Sequence, residues 1–193
     1  LAALFQTDMD WLTEAEATFQ RAIEMNPREP KVFYNYAYML TTKGDVAKAR
    51  SASDRSLELA PESVFFRLFR AIQEFRWTGE VARTKKFLAE IPAGKDPDGR
   101  VTAAHCTAAV YERNFPEAQR LLAACPSERL PFLDGGFGHV VPKGFVEGMV
   151  HFYAGNKERA YTALDSVRWT LEVEAKENLG VQPVHLHLAL AYA

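Results

Sequence analysis

The chain has 193 residues, 48% of them hydrophobic and 25% charged, a composition that fits a globular protein and excludes a disordered or collagen-like one. A formal net charge of −2 argues against bulk attraction to nucleic acid or to an anionic membrane. No apolar run reaches the length of about 18 residues that a membrane-spanning helix needs. Cys106 and Cys125 fit neither CxxC nor zinc-ligand spacing. They read as two small buried residues on neighbouring helices, without a disulfide framework and in a reducing compartment. No signal peptide is visible, and the sequence begins at Leu1 rather than Met. The expected location is cytoplasmic.

Helix formers fill the segments between Gly and Pro punctuation, and period-two alternation is rare, so helices are expected and strands are not. Leu1 to Phe5 reads as the tail of one helix. Residues 12–25 form the next, ending before Asn26-Pro27. Residues 30–43 and 46–59 follow as a pair around the tight turn Gly44-Asp45, and Pro61 closes it. Residues 64–77 and 80–91 pair around Thr78-Gly79. A loop from Ala93 to Gly99 leads to 100–112 and 115–124, joined at Arg113-Asn114. An irregular stretch, Ser127 to Pro142, carries Gly135, Gly136 and Gly138. Residues 143–154 and 157–178 pair around Gly155-Asn156, and the second helix would span about 33 Å. A last helix begins near Pro183.

Beneath these elements lies a repeat. The run Ala15 to Pro27 recurs as Ala49 to Pro61, with both Ala15/Ala49 and Pro27/Pro61 separated by 34 residues. Such a period marks stacked supersecondary units. In the second copy Phe33, Tyr36-Ala37 and Leu40 line the first helix, Gly44 turns the chain, Ala49 makes the close contact and Pro61 ends the unit. Ala15, Phe19, Ala22 and Pro27 fill the matching places in the first. Later units keep Gly79, with the stripe Leu68, Ala71, Ile72 and Phe75. They also keep Phe115 with Ala118, and Gly148, Gly155, Ala160 and Leu164.

This skeleton resembles the tetratricopeptide repeat. The resemblance implies an all-α, right-handed superhelical solenoid of about five antiparallel helix pairs, a single domain over 1–193. The units are 1–29, 30–63, 64–99, 100–142, 143–182 and a partial 183–193. Because the pattern stops inside a repeat at both ends, the expectation is a piece of a longer protein, or ends that associate with something.

The resemblance also implies a concave groove lined by the first helix of each pair. Its positions here are Lys31, Tyr34, Asn35, Tyr38 and Thr41 in one unit. The next unit supplies Phe66, Phe69, Arg70, Gln73 and Arg76, and a later one Phe145, Met149 and Phe152. Aromatic and Arg side chains dominate protein interfaces, but rings at these places also fit packing inside the superhelix. Asn35 and Arg70 occupy two positions of a carboxylate-gripping subtype, whose Lys beside Arg70 is replaced by Phe66, so that clamp is incomplete. The cluster Arg67, Arg70, Arg76, Arg83, Lys85 and Lys86 could attract an acidic partner or a phosphate backbone, but in a chain otherwise acidic it reads first as a solvated face.

The function expected is a non-enzymatic scaffold for a peptide or partner domain, with no catalytic residue, cofactor or metal. Like repeats occur on bacterial signalling kinases, cyclases and winged-helix regulators, so a regulatory or sensor region is a second reading. The alternative of another class is an enzyme with its site in 126–142, near Asp134 and His139. The glycines there lack GxGxxG spacing and a preceding strand. The histidines His105, His139, His151, His185 and His187 form no HExxH or HxxxH pair.

Overall fold

The structure is a computed structural model that describes residues 2–92, 94–96, 98–131 and 140–177, with side chains from residue 11 onward. Two compact units divide it, Leu1–Glu80 and Val81–Ala193. In the first, α1 (Ala2–Met25), α2 (Pro30–Lys43), α3 (Val46–Leu59) and α4 (Val64–Thr78) follow one another, each packed against the next. The second holds α5 (Val81–Ala89), α6 (Arg100–Tyr111) and α7 (Phe115–Ala124), then a ribbon of β1 (Arg129–Pro131) and β2 (Val140–Pro142). It continues with α8 (Lys143–Tyr153) and α9 (Lys157–Glu177). Hairpins α2–α3, α6–α7 and α8–α9 are antiparallel helix pairs of the expected kind. The helix expected near Pro183 lies outside the described residues.

One turn design closes all three hairpins. Gly44, Arg113 and Gly155 sit in the left-handed region at φ 85°, 57° and 78°. The next residue donates its N–H back over the end of the helix: Asp45 to Leu40 O (3.0 Å), Asn114 to Ala109 O (2.8 Å) and Asn156 to His151 O (2.9 Å). That is the Schellman closure, which satisfies the last carbonyls of the outgoing helix. The same Asp or Asn side chain then accepts the N–H of the residue three further on, Lys48, Glu117 or Arg159, and so caps the incoming helix. Four residues after each cap stands a buried alanine, Ala49, Ala118 or Ala160, whose small side chain lets the two helices approach.

Two expectations are corrected. The break between Leu1–Phe5 and residue 12 does not occur, because α1 runs unbroken for 24 residues. The residue one repeat before Gly44 is Asp10, and without a glycine to enter the left-handed region the helix continues. The second correction is the ribbon, in a stretch expected to hold no strand. Leu130 faces Val141 across it, and both are buried in the core of the second unit with Phe145, Val150, Leu164 and Leu171. Lys143 N–H donates to Glu128 O (2.8 Å), so α8 grows directly from the ribbon. Arg129 ties it to α9 through Glu174 (2.6 Å).

The α8–α9 pair packs closely at its glycines. A Cβ added at Gly148 would stand 2.6 Å from Leu164 Cγ and 3.4 Å from the Ala160 carbonyl. Gly148→Ala is therefore expected to destabilise the protein by about 1–3 kcal/mol in urea unfolding, an overpacking effect that exceeds the helix-propensity gain. Arg113→Gly should do the reverse. Relief of a left-handed residue, worth about 1–2 kcal/mol, outweighs the ~0.5–1 kcal/mol entropic cost of glycine, so the melting temperature should rise.

Candidate partner-binding surface

The α2 face is set by its caps. Glu29 accepts the Lys31 N–H, Pro30 occupies the first turn and Gly44 ends the helix. Lys31, Tyr34, Asn35 and Tyr38 then fall at i, i+3, i+4 and i+7 on one side. Lys31, Asn35 and Tyr38 are exposed, and Tyr34 is half-buried. The Tyr34 ring packs edge-on against Phe69 (4.5 Å between centroids) and Phe65 (5.0 Å), and lies 6.1 Å from Phe66. Phe65 is 39% exposed, and Tyr38 is 47% exposed. The groove pattern missed Phe65, which lies one residue before the α4 stripe; its contact with Tyr34 brings it to this face.

On α4 the matching residues lie deep. Phe66, Phe69, Arg70 and Gln73 are buried, while Arg76, one turn further on, is exposed. Arg70 is fully engaged. It donates to Asp54 (2.5 Å) and Glu74 (2.6 Å), Glu74 also receives Arg50 (2.5 Å), and both guanidiniums stand over the Trp77 ring at 5.1 and 5.3 Å. An incoming carboxylate at Arg70 would have to displace a carboxylate already there. Trp77 Nε1 donates to Thr41 Oγ1 (3.2 Å), which tethers the network to α2. Gln73 Nε2 and Ser53 Oγ are buried without partners.

Burial pushes the Glu74 carboxyl up, but the hydrogen bond and charge of Arg70, joined by Arg50, outweigh it and hold the group below its ordinary value. Glu16, on α1, is buried and gripped by Lys43 and by Lys48 (2.9 Å), with Tyr36 Oη donating at 3.3 Å. Hydrogen bonds from Lys43 and then Lys48 pull its carboxyl down to about 2.

In the second unit Phe145 and Met149 belong to the core, whereas Phe152 is exposed. Lys85 pairs with Glu112 at 3.0 Å. Cys106 and Cys125 are free and buried, and burial pushes the Cys106 thiol up to about 12. His105 is lowered by burial, and His151 Nδ1 stands 3.2 Å from Gln119 Nε2. Asp134, His139, His185 and His187 lie outside the described residues. Among the described residues no group of three or more His, Cys, Asp or Glu is arranged to hold a metal ion, and no helix is long and apolar enough to cross a membrane.

Caps, alanine contacts and 34-residue spacing are those of tetratricopeptide repeats, and a match to that family covers part of the chain. Residues 12–64 match the family model described as tetratricopeptide repeat. No curated protein matches the sequence. The fold is similar to that of a tetratricopeptide repeat protein from Parabacteroides merdae, 13% identical with a TM-score of 0.61, over 97% of this chain and 80% of that one. It is also similar to YrrB, described as a TPR protein with an unusual peptide-binding site. That structure is 16% identical with a TM-score of 0.54, over 98% of this chain and 88% of that one. At these identities the likeness is one of fold.

The Glu16 cluster gives an acid prediction. Its folded carboxyl titrates near 2 against 4.5 for the free group, so its stabilisation is complete above about pH 4.5 and is lost as pH falls toward 2. Denaturant midpoints measured from pH 7 to 2 should decline chiefly below 4.5, and Glu16→Gln should lower the pH 7 value and flatten the decline.

Proposed function

We propose that the protein is a non-enzymatic interaction scaffold whose α2 face receives a peptide or a partner domain. The contact residues are Lys31, Asn35, Tyr38 and the exposed Phe65, with the half-buried Tyr34 beside them. Phe66, Phe69, Arg70 and Gln73 act beneath as support. Phe145 and Met149 serve the core of the second unit, and Arg76 remains as an exposed cation on α4.

The observation that carries this reading is the exposed Tyr38 ring one helical turn from Tyr34, itself fixed edge-on between Phe65 and Phe69. An aromatic anchor held rigid before binding loses little entropy when a partner arrives. Lys31 and Asn35 add a polar rim of the kind that surrounds such anchors. The tetratricopeptide fold and the peptide-binding site named for YrrB support a peptide as the occupant.

The test separates binding from folding. Tyr38→Ala and Phe65→Ala remove exposed rings, so both variants should melt within a few degrees of the parent while losing about tenfold or more in partner affinity. Phe69→Ala should instead cost about 3–5 kcal/mol of stability, because it empties a buried site. Partner capture by the intact protein, followed by titration of each captured partner, provides the measurement. Unchanged affinities in both Tyr38→Ala and Phe65→Ala would sink the proposal.

A further inference from the structure

The turn at Arg113 carries a side chain where its two counterparts carry none. A Cβ added at Gly44 or Gly155 would meet nothing within 4 Å, so those positions are glycine for the sake of φ alone. Arg113 takes the same left-handed conformation at φ 57°. For an ordinary residue that conformation costs about 1–2 kcal/mol. Strained residues of this kind concentrate at ligand clamps.

Arg113 borders an open cleft of about 370 Å³ whose other walls, among the described residues, are Thr107, Val110, Tyr111, Phe115 and Tyr153. The volume falls within the ~300–1,000 Å³ range of ligand sites. All six residues belong to the second unit, on α6, α7, α8 and the turn between α6 and α7. None of these six residues belongs to the α2 face. Tyr111 and Tyr153 are 58% and 48% exposed, and the exposed Phe152 ring braces Tyr153 edge-on at 6.0 Å.

Charge distinguishes this cleft from a bare aromatic patch. The acids nearest to Arg113 in the chain are already paired: Glu112 with Lys85 (3.0 Å), and Glu117 with Arg120 through two hydrogen bonds (2.7 Å each). Among the described residues Arg113 has no ion pair and is exposed. Among its described residues the cleft thus presents one guanidinium without an ion pair beside two tyrosine rings. A guanidinium matches a carboxylate bidentately. Tyrosine-lined grooves suit proline in an extended, polyproline-type segment, which is preformed and loses little entropy on binding.

We propose that the cleft at Arg113 is a second peptide site, which takes a short extended segment with an acidic side chain on Arg113 and an adjacent proline against Tyr111 and Tyr153. The strain at Arg113 is then the consequence of placing a cation at the only residue of the turn that faces the cleft.

The test is a ¹H–¹⁵N titration of the full chain with acetyl-Pro-Pro-Glu-Pro-Pro-amide and with the same peptide carrying Gln in place of Glu. The expected result is saturable shifts at Tyr111, Arg113 and Tyr153, with the Glu peptide binding about fivefold tighter or more, as a charge-assisted pair predicts. Arg113→Gly, which relaxes the turn and keeps the fold, should make the two peptides bind alike. Tyr153→Ala should weaken both by about tenfold, as loss of an aromatic anchor does. The proposal is overturned by absent or non-saturable shifts, by shifts centred on Tyr38 instead, by a Glu preference that survives Arg113→Gly, or by unchanged affinity in Tyr153→Ala. A Tyr38→Ala variant run alongside keeps this outcome separate from that of the α2 face.

Discussion

The constraint on which the structure depends is the reversal of a helix within three residues. To turn back, the chain must leave the right-handed region for one residue, satisfy the carbonyls it abandons and start a new helix at once. Gly44-Asp45, Arg113-Asn114 and Gly155-Asn156 do all three with the same atoms. The left-handed residue breaks the ladder. The following N–H reaches back to the last turn, and the Asp or Asn side chain caps the next helix. Because one residue both ends the Schellman closure and begins the cap, the phase of the second helix is locked to that of the first. That lock brings Ala49, Ala118 and Ala160 to the helix contact in each pair.

Close approach creates the next requirement. Helices that meet across alanine or glycine bring polar groups of their flanks out of water, and these need partners. In the first unit the answer is ionic. Glu16 from α1 meets Lys43 of α2 and Lys48 of α3, and Glu74 of α4 meets Arg50 of α3 and Arg70. Trp77 lies under both guanidiniums, so apolar area and charge satisfy one another at a single point. In the second unit the described core is packed differently. Its core cluster, from Cys106 to Leu171, is apolar, and the ribbon supplies Leu130 and Val141 to it.

Helix order and most helix ends were legible in the sequence because glycine, proline and Asx residues act locally. Pro30, Gly44, Asp45 and Gly79 dictate the chain's path from their own backbone preferences, whatever surrounds them. Where the local signal lapses, the reading failed. Asp10 stands in the place of Gly44 one repeat earlier, and nothing in it forces a left-handed turn. The three-residue strands of the ribbon carry too little alternation to stand out, and Leu130 and Val141 reveal themselves only as opposite members of a pair.

The candidate surface was less legible, for a related reason. Lys31, Tyr34, Asn35 and Tyr38 on α2 and Phe66, Phe69, Arg70 and Gln73 on α4 share one spacing, so periodicity assigns them the same role. Periodicity fixes the direction in which a side chain leaves the helix but not how much protein lies in that direction. On α4 every residue from Leu68 to Glu74 is buried, including an arginine, a glutamine and a glutamate. A helix so enclosed keeps charged residues only when they meet opposite charges inside, as Arg70 and Glu74 do. The same physics accounts for Arg113, an exposed arginine whose neighbouring acids are taken. Whether an arginine supports the fold or is free to meet a ligand is therefore decided by what its neighbours have already paired with, which a sequence does not state and a structure does.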